Sequence, residues 1–366
     1  FPAPVAAPGR GGLKLLDRYI VRSVLLWTFV ALLVLSGLLG LETFVKESED
    51  AGTGGFRLLD ALFVTLLKMP FFMIQVFPIS ALLGGLLALG GMARHAELTA
   101  MRTAGVSMWR ILGSVMMAGG VLAILVIVMS EFVAPISEQR AEALKAESMD
   151  QPSVLRTRHG YWLRDGNLFV NIREVFSGGR IGSVNIYDLD DEWQLQGITW
   201  ARTGRYRDGE WVLETVKSAR VSPEKVETRW QREWVTPLRL DPEFLDFIAV
   251  RPLAMSATDL YQYLQFLAGN EQSRPEYEVA LWSKVTVPVT TLILLVLAVA
   301  FVLGNPRSVD IGQRIIAGAV TGTVFVMLNR AASFVSLVYD IPPAFSAWIP
   351  TLVFLGITLL YLRRLN

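Results

Sequence analysis

The chain has 366 residues, of which 52% are hydrophobic and only 18% are charged, and its formal net charge at pH 7 is +1. Soluble domains carry about a quarter charged residues, so this composition favours an integral membrane protein. The near-neutral charge excludes the dominant basic surface of a nucleic-acid-binding protein. The chain contains no cysteine, which excludes disulfides, thiolate zinc sites and a cysteine nucleophile.

Six apolar stretches are long enough to cross a bilayer as helices, for which about 20 residues are needed. In chain order they are residues 23–41, 69–93, 111–130, 285–306, 315–339 and 341–362. The fifth is interrupted by Arg330. Residues 1–12, rich in proline, alanine and glycine, lack the apolar core of a cleavable signal peptide. We interpret them as a disordered tail or a non-native remnant and exclude them from the fold.

The positive residues in the short loops predict the orientation of these spans, because such residues are enriched on the cytoplasmic side. With the N-terminus inside, the inner segments hold Arg10, Lys14, Arg18, Arg22, Arg94, Arg102, Arg110, Arg307, Arg314, Arg363 and Arg364. The short outer loops hold only Lys46 and Arg57. Both termini are therefore predicted to be cytoplasmic, and residues 133–277 are predicted to lie outside, in the periplasm of a bacterium with two membranes.

The segment between the third and fourth spans, residues 133–277, is predicted to form an all-β domain. Asp165-Gly166 and Asp208-Gly209 each separate two runs of alternating apolar and polar residues, which indicates β-hairpins. Short strands with turns every 8–12 residues or so are typical of a sandwich or a roll. The predicted organisation is thus three spans in 13–132, the β domain in 133–277 and three spans in 278–366. We expect a domain of this size to bind a partner or ligand rather than to be padding.

The motifs of several enzyme classes are missing from the sequence. There is neither a GxxxxGK[ST] loop for ATP nor an HExxH metal motif. The only two histidines, His95 and His159, fall on opposite sides of the predicted membrane, and each is expected to be an ordinary solvated histidine. No Ser-His-Asp triad can be assembled on the outer side, because no histidine there matches such a site. The chain is predicted to be non-catalytic and to hold neither a metal nor a cofactor.

The inner loop between the second and third spans contains the first candidate functional segment. Glu97, Met101 and Arg102 fall near one helical face, and Gly105 ends the helix before the third span. We predict a short amphipathic helix near residues 93–105 at the cytoplasmic surface. It is either a polar turn that reverses the chain or a coupling helix that binds a separate ATPase. The candidate coupling residues are Glu97, Met101, Arg102, Ala104 and Gly105.

Basic residues near the predicted outer leaflet form the second candidate site. An ionisable side chain within a membrane is costly, so Lys68 in the second span suggests a function. Each basic residue could be an anchor whose charge reaches the interface, which is the favoured interpretation for Lys284 beside Trp282. Taken together, the group predicts a site for an anionic lipid headgroup. The candidates are Lys46, Lys68, Arg140, Lys145 and Arg330.

Six segments carry a resemblance to a known family. They are residues 16–20 (LDRYI), 77–84 (FPISALLG), 97–105 (ELTAMRTAG), 131–135 (EFVAP), 162–170 (WLRDGNLFV) and 281–284 (LWSK). In order and spacing they resemble the lipopolysaccharide-export permeases of the LptF/LptG family, and the LptG branch more closely than the LptF branch. The resemblance covers the chain from residue 15 onward.

The resemblance implies the permease subunit of an ABC transporter in the bacterial inner membrane. Its partners would be the paralogous permease LptF, an LptB ATPase dimer that binds the ATP, and LptC. The complex would extract lipopolysaccharide from the outer leaflet and pass it along a periplasmic bridge toward the outer membrane. The middle domain would be a β-jellyroll and the helix around Glu97 the coupling helix. Residues 23–41 and 315–339 would form the lateral gates.

One departure from the family concerns the outer end of the first span. Relatives often carry several lysines there, whereas residues 42–50 are mostly acidic and contain only Lys46. Headgroup binding is then expected to rest on Lys68, Arg140 and Lys145, or on the partner permease. Two other functions stay open at this point. One is an ABC permease for another lipid, lipoprotein, peptide or drug, and the other is a non-transporting scaffold whose outer domain docks partner proteins.

Overall fold

The computed structural model describes residues 10–52, 55–148, 154–176, 180–190, 192–207, 209–221, 225–236, 252–269, 275–304, 311–339 and 341–363. Its helices are α1 (Arg10–Ser48), α2 (Leu58–Arg94), α3 (Glu97–Thr103), α4 (Met108–Val128), α5 (Ala134–Ser148), α6 (Ala257–Gly269), α7 (Pro275–Gly304), α8 (Ile311–Tyr339) and α9 (Pro343–Arg363). A π-helical turn, Met129–Val133, joins α4 to α5, and a 3₁₀ turn, Pro252–Ala254, precedes α6. The strands are β1 (Val154–Asp165), β2 (Leu168–Phe176), β3 (Arg180–Leu189), β4 (Leu195–Arg207), β5 (Glu210–Val221) and β6 (Val226–Thr236).

Six helical segments of the described chain are long and apolar enough to span a membrane. They are Leu15–Ser48, Leu58–Arg94, Met108–Lys145, Pro275–Gly304, Ile316–Ser336 and Pro343–Arg363. The six predicted spans, three on each side of the β-rich segment, are therefore confirmed. Arg330 does not interrupt the fifth span, because α8 continues through it to Tyr339. α1 and α2 have 39 and 37 residues and so exceed the roughly 20 that a bilayer requires.

One compact unit, called the membrane unit below, contains the described residues up to Thr43, Lys68–Ala134 and the described residues from Glu278 onward. Its core joins apolar side chains of α1, α2, α4 and α7, among them Leu82, Leu86 and Leu295. Gly84 allows α1 to approach α2 closely, because a Cβ at Gly84 would lie 2.3 Å from the Cα of Thr28. Small residues of this kind let membrane helices pack against each other without a hydrophobic driving force.

The helices of this unit differ in how much of their surface is covered. In the apolar 18-residue stretch of α7, 67% of the residues are buried. The corresponding shares are 33% for α1 and 17% for α8. The exposed large side chains of α1 include Leu26, Phe29, Leu33, Val34 and Leu38. α1 and α8 therefore present apolar faces that this unit itself does not cover.

The second compact unit contains Phe44–Leu67 and the described residues of Pro135–Tyr277. Its six strands form one antiparallel sheet in sequence order, β1 to β6. β1 and β2 pair Asp165 with Leu168 around Gly166, and β4 and β5 pair Arg207 with Glu210 around Gly209. Both glycines have positive φ, 61° and 90°, which tight hairpin turns require. The predicted β-sheet insertion and both hairpins are confirmed, although Asp208 itself lies outside the described residues. The range 133–277 is not β throughout, because α5 and α6 lie within it and the strands occupy 154–236. α5 is rich in alanine and glutamate, which favour a helix.

A row of irregular positions crosses this sheet. In a regular strand the buried side chains recur at every second residue. Here the buried positions are three residues apart in β3 (Ile181 and Val184) and in β5 (Leu213 and Val216). Between them lie Ser183 and Thr215, whose φ values are 49° and 53°. The shift occurs in β3 and in β5, on either side of β4, and the apolar residues on both sides of the row belong to one core.

A small apolar cluster in the second unit packs the first turns of α2, and the residue Phe56 just before them, against α5. Phe56, Ala61, Val64 and Ala141 are buried in it. Polar contacts, described below, accompany this cluster at the end of α1.

Candidate functional site

The predicted short helix of the inner loop is present as α3, and the backbone on either side of it sets its direction. α2 ends at Arg94, and Ala96 then adopts a left-handed conformation with φ 57°. α3 runs from Glu97 to Thr103, and Gly105 turns the chain away with φ 88°. The Ser107 side chain accepts a hydrogen bond from the backbone N–H of Arg110 and so caps α4.

The five candidate coupling residues lie together in α3 and the turn after it, but they do not share one environment. Arg102, Ala104 and Gly105 are exposed. Met101 is half-buried and packs against the membrane unit's core together with buried Leu98. Met101 therefore holds α3 in place, and the surface that α3 offers to a partner centres on Arg102, Ala104 and Gly105.

The remaining candidate, Glu97, is hydrogen-bonded to α1. The hydroxyl of Tyr19 donates to Oε2 of Glu97 over 2.9 Å. The sequence interpretation did not include this pair, since the two residues are 78 positions apart. The signal that could have drawn attention to Tyr19 is its place in a polar motif, LDRYI, immediately before an apolar span.

A second polar contact joins the same end of α1 to α4. The Nη2 atom of Arg110 lies 2.8 Å from Oδ2 of Asp17, and the hydroxyl of Ser114 donates to Oδ1 of Asp17 over 2.7 Å. Both carboxylate oxygens of Asp17 are thus engaged by α4. α1 is consequently bonded both to α3 and to α4.

Trp109, at the start of α4, is another residue that sequence reasoning missed. Its side chain is 62% exposed. Tryptophan supplies a large apolar surface with one polar atom and is enriched at interfaces. Its position in the chain, four residues after Gly105, adds an apolar side chain to the exposed surface of the inner loop.

Among the candidate lipid-binding cations, Lys145 is engaged by two carboxylates. Its Nζ lies 2.6 Å from Oε2 of Glu47 and 2.8 Å from Oδ2 of Asp50. Glu47 is buried, while Lys145 and Asp50 are half-buried. Two acidic residues, one in the last turn of α1 and one just after it, therefore hold a cation that was predicted to face lipid.

The other four cations fall into two groups. Lys68 is only 4% exposed within α2. Lys46, Arg140 and Arg330 are exposed. Within the part of the chain that the structure describes, Arg140 and Arg330 form no ion pair, which leaves their charges accessible. Lys68 and Arg330 belong to the membrane unit, whereas Lys46, Arg140 and Lys145 belong to the unit that contains the sheet.

Lys284, interpreted from the sequence as an interfacial anchor, makes bonds inside the membrane unit. Its Nζ donates to the hydroxyl of Ser130 over 2.9 Å and to the carbonyl of Ser130 over 3.2 Å. Ser130 lies in the π-helical turn after α4, where the backbone hydrogen-bond pattern changes. Lys284 therefore supports this turn from α7.

Among the described residues, no cluster of three or more histidine, aspartate or glutamate side chains suited to a metal ion occurs. His95 is accounted for locally, since its Nδ1 lies 2.9 Å from the carbonyl of Gly91. The side chain of His159 lies outside the described part of the chain.

Known proteins resemble this chain over nearly its whole length. The family model for the lipopolysaccharide export system permease LptF/LptG matches residues 18–364. The lipopolysaccharide export system permease protein LptG of Escherichia coli K12 is 34% identical over 355 residues, which are 95% of this chain and 98% of that protein. The protein of the same name from Haemophilus influenzae is 32% identical over 342 residues, which are 93% of this chain and 96% of that protein.

Proposed function

The chain belongs to the LptF/LptG family of lipopolysaccharide export system permeases, and we propose that it is the LptG-type permease subunit of an ABC transporter. Its task is to extract lipopolysaccharide from the outer leaflet of the inner membrane and to pass it to a periplasmic bridge toward the outer membrane. The observation that carries this proposal is the similarity to LptG proteins over 95% of the chain, on a fold with six candidate spans. The chain is accordingly a multi-pass protein of the inner membrane.

We propose that both termini and α3 are cytoplasmic and that the sheet is periplasmic. The distribution of arginine and lysine in the short loops supports this orientation, because those residues are retained on the cytoplasmic side. Arg94, Arg102 and Arg110 then surround α3 on the inner side. This placement gives α3 access to an ATPase, and it gives the sheet access to periplasmic partners such as LptC.

The energy source is proposed to be a separate ATPase, an LptB dimer, bound to this chain and to a paralogous LptF permease. The sequence contains no phosphate-binding loop of its own. The exposed inner surface of Arg102, Ala104 and Gly105, with Trp109 nearby in the chain, supplies a guanidinium and an aromatic side chain for a protein contact. Arginine and tryptophan are the side chains that most often dominate such contacts.

The cargo has several acyl chains and a phosphorylated headgroup, so its site needs an apolar wall and a cationic rim. Each methylene removed from the bilayer requires an equally apolar destination, since burying one is worth about 0.8 kcal/mol. The uncovered apolar faces of α1 and α8 supply such walls. Among the candidate cations, Lys46, Arg140 and Arg330 are exposed and so able to reach phosphates directly, and Lys145 becomes available only if Glu47 and Asp50 release it.

Closure of the ATPase pair would move the α3 helices of the two permeases together. This movement would reduce the volume of the apolar cavity that holds the lipid, and transport would follow. The lipid leaves the membrane toward the β domain. There the buried apolar core of the sheet, which includes Val170, Ile186 and Leu213, stabilises the domain that would receive acyl chains or dock the next β domain. The chain itself contributes binding and movement rather than bond-breaking chemistry.

The experiment that tests this function is purification of the chain after co-expression with its candidate partners, followed by mass spectrometry of the bound proteins and lipids. A stoichiometric ATPase, a second permease and lipopolysaccharide are the expected result. An ATPase with another bound lipid or lipoprotein would keep the transporter and replace the cargo. No ATPase, under conditions that preserve membrane complexes, would favour a non-transporting scaffold.

A further inference from the structure

The first helix is bonded to the inner loop at two separate points. Tyr19 donates a hydrogen bond to Glu97, the first residue of α3. Asp17 accepts from Arg110 and Ser114 of α4, on the other side of the α3 turn. The three partners on α3 and α4 therefore flank the exposed residues Arg102 to Gly105. A displacement of α3 acts directly on the end of α1.

The same helix is held close to α2 further along its length. At Gly84 the backbone of Thr28 approaches so closely that no side chain fits between the two helices. Tyr19 and Thr28 are nine positions apart on α1, which corresponds to about 13 Å of helix. α1 thus has a polar attachment at its end and a close contact about two and a half turns along it. Beyond that contact, its exposed apolar face includes Leu33, Val34 and Leu38.

From this arrangement we propose that Tyr19 is a positioning residue that transmits movement of α3 to α1 through Glu97. A shift of α3 changes the direction of α1 about its contact with Gly84, and so moves the apolar face that α1 presents outside the unit. The inference rests on the proposed function, since it requires an ATPase that displaces α3. Tyr19 does not touch ATP or cargo in this proposal, and its hydroxyl acts only through the Glu97 carboxylate.

The central variant is Tyr19→Phe, which removes the hydroxyl and leaves the ring. Tyr19 is 49% exposed, so this change leaves no cavity and no buried unpaired group. The matched control is Tyr261→Phe on α6, because Tyr261 is 57% exposed and its hydroxyl forms no hydrogen bond within the described chain. Both are tested in the assembled complex with the ATPase and the second permease, in lipid bilayers that contain lipopolysaccharide.

The first measurement is the amount of lipopolysaccharide released per ATP hydrolysed. We expect Tyr19→Phe to bind the ATPase in unchanged stoichiometry and to release about fivefold less lipid per ATP, since one hydrogen bond to a charged group is lost. Tyr261→Phe is expected to match the unmodified chain. Adding Tyr19→Phe to a Glu97→Gln chain should have little further effect, because the two residues act as one unit.

The second measurement detects the movement of α1 itself. The natural sequence has no cysteine, so Leu38→Cys creates a single attachment point for an environment-sensitive fluorophore on the exposed face of α1. We expect the emission to change when ATP and vanadate are added, and we expect this change to be several-fold smaller with Tyr19→Phe. A residue that served only to stabilise the fold would not alter this response at constant assembly and constant unfolding temperature.

Three results would decide against the inference or against its premise, and they are separable. Lipid release per ATP and label response equal to those of the unmodified chain would show that Tyr19 does not transmit movement. Loss of the ATPase from the Tyr19→Phe complex would show that Tyr19 acts in docking, which also overturns the proposal. An unmodified chain that binds no ATPase or releases no lipopolysaccharide would instead refute the proposed function.

Discussion

The two ends of the first helix use polar contacts of different kinds. Near its beginning, Tyr19 bonds to the first residue of α3 and Asp17 bonds to α4, and Tyr19 is substantially exposed. At its other end, Lys145 lies between the buried Glu47 and the half-buried Asp50. The first set combines one hydrogen bond from an uncharged donor, the exposed Tyr19, with an ion pair between Asp17 and Arg110. The second consists of two ion pairs that share Lys145.

This difference teaches that a charged residue near a membrane surface cannot be assigned to a ligand from its position alone. Lys145 was predicted to meet a lipid phosphate, and the structure places two carboxylates of the same chain against it. Arg140, five positions earlier, is exposed and forms no ion pair with described residues. The accessible arginine and the neutralised lysine should therefore respond differently to substitution, although their sequence contexts are similar.

The largest expected effect comes from the contact between α1 and α3, through Glu97→Gln. Removing the carboxylate charge should uncouple ATP hydrolysis from transport and lower lipopolysaccharide release by about tenfold, because Glu97 bonds α1 and begins the proposed coupling helix. Bound lipopolysaccharide should stay at the level of the unmodified complex. Release and bound lipid are measured on the same bilayer preparation.

The control for this change is Glu49→Gln at the other end of α1, where the exposed side chain has no partner among the described residues. It should leave release unchanged. Loss of bound lipid in Glu97→Gln, at normal assembly with the ATPase, would show that the roles assigned to the two ends are wrong.

The next effect concerns the close contact between α1 and α2, where Gly84 meets Thr28. A methyl group there would meet the backbone of Thr28 at 2.3 Å, and backbone cannot move aside as a side-chain tip can. Gly84→Ala is expected to lower the free energy of unfolding by about 1–3 kcal/mol, as overpacking typically does. The unfolding temperature in detergent measures this. Gly37→Ala on α1 is the control, because nothing lies within 4 Å of a Cβ at that position. Equal unfolding temperatures for the two variants would argue against the close α1–α2 contact.

A smaller effect is expected at the ion pair between Lys145 and Glu47, and it tests the contrast between Lys145 and Arg140. Lys145→Met should lower the free energy of unfolding by about 1–2 kcal/mol, since it leaves the buried Glu47 without its cation. Arg140→Met should change the unfolding temperature little but weaken binding of lipopolysaccharide. Thermal unfolding and lipid retention are compared for both variants. If Lys145→Met reduced lipid retention more than Arg140→Met did, the lysine would be the headgroup ligand after all.

The smallest expected effect does not involve α1. It concerns Asp190, in the loop between β3 and β4. The backbone N–H of Gln194 donates to Asp190, as do the N–H of Glu192 and the side chain of Gln196, and these bonds lower the pKa of the carboxyl below its ordinary value of 3.8. Stabilisation from Asp190 is therefore present above that ordinary value and is lost as the pH falls through the lower pKa of the folded chain.

Substitution of Asp190 should remove the small loss of stability that protonation of its carboxylate causes at acid pH. The unfolding temperature of the Asp190→Asn chain should differ from that of the unmodified chain near neutral pH and converge with it as the pH falls below about 4. A difference that stays constant across this range would mean that the carboxylate's charge contributes nothing to the loop.

Local patterns determined a large part of this protein. The spans follow from uninterrupted apolar length, since a helix in a bilayer satisfies its backbone hydrogen bonds internally and needs only apolar side chains outside. The hairpins follow from glycine at positions with positive φ, and α3 follows from its helical spacing and from Gly105. The order of the six motifs was sufficient to indicate the family, because that information is carried along the chain.

Only the tertiary structure decided which polar groups meet. Tyr19 and Glu97 are 78 residues apart, and Lys145 and Glu47 are 98 residues apart. No periodicity relates such positions, because their distance depends on how the helices pack. The same packing placed the half-buried Met101 against the core while it left Arg102 exposed. The sequence could thus supply the charged residues of each candidate site, but whether a charge was accessible or already neutralised depended on side chains brought to it by the fold.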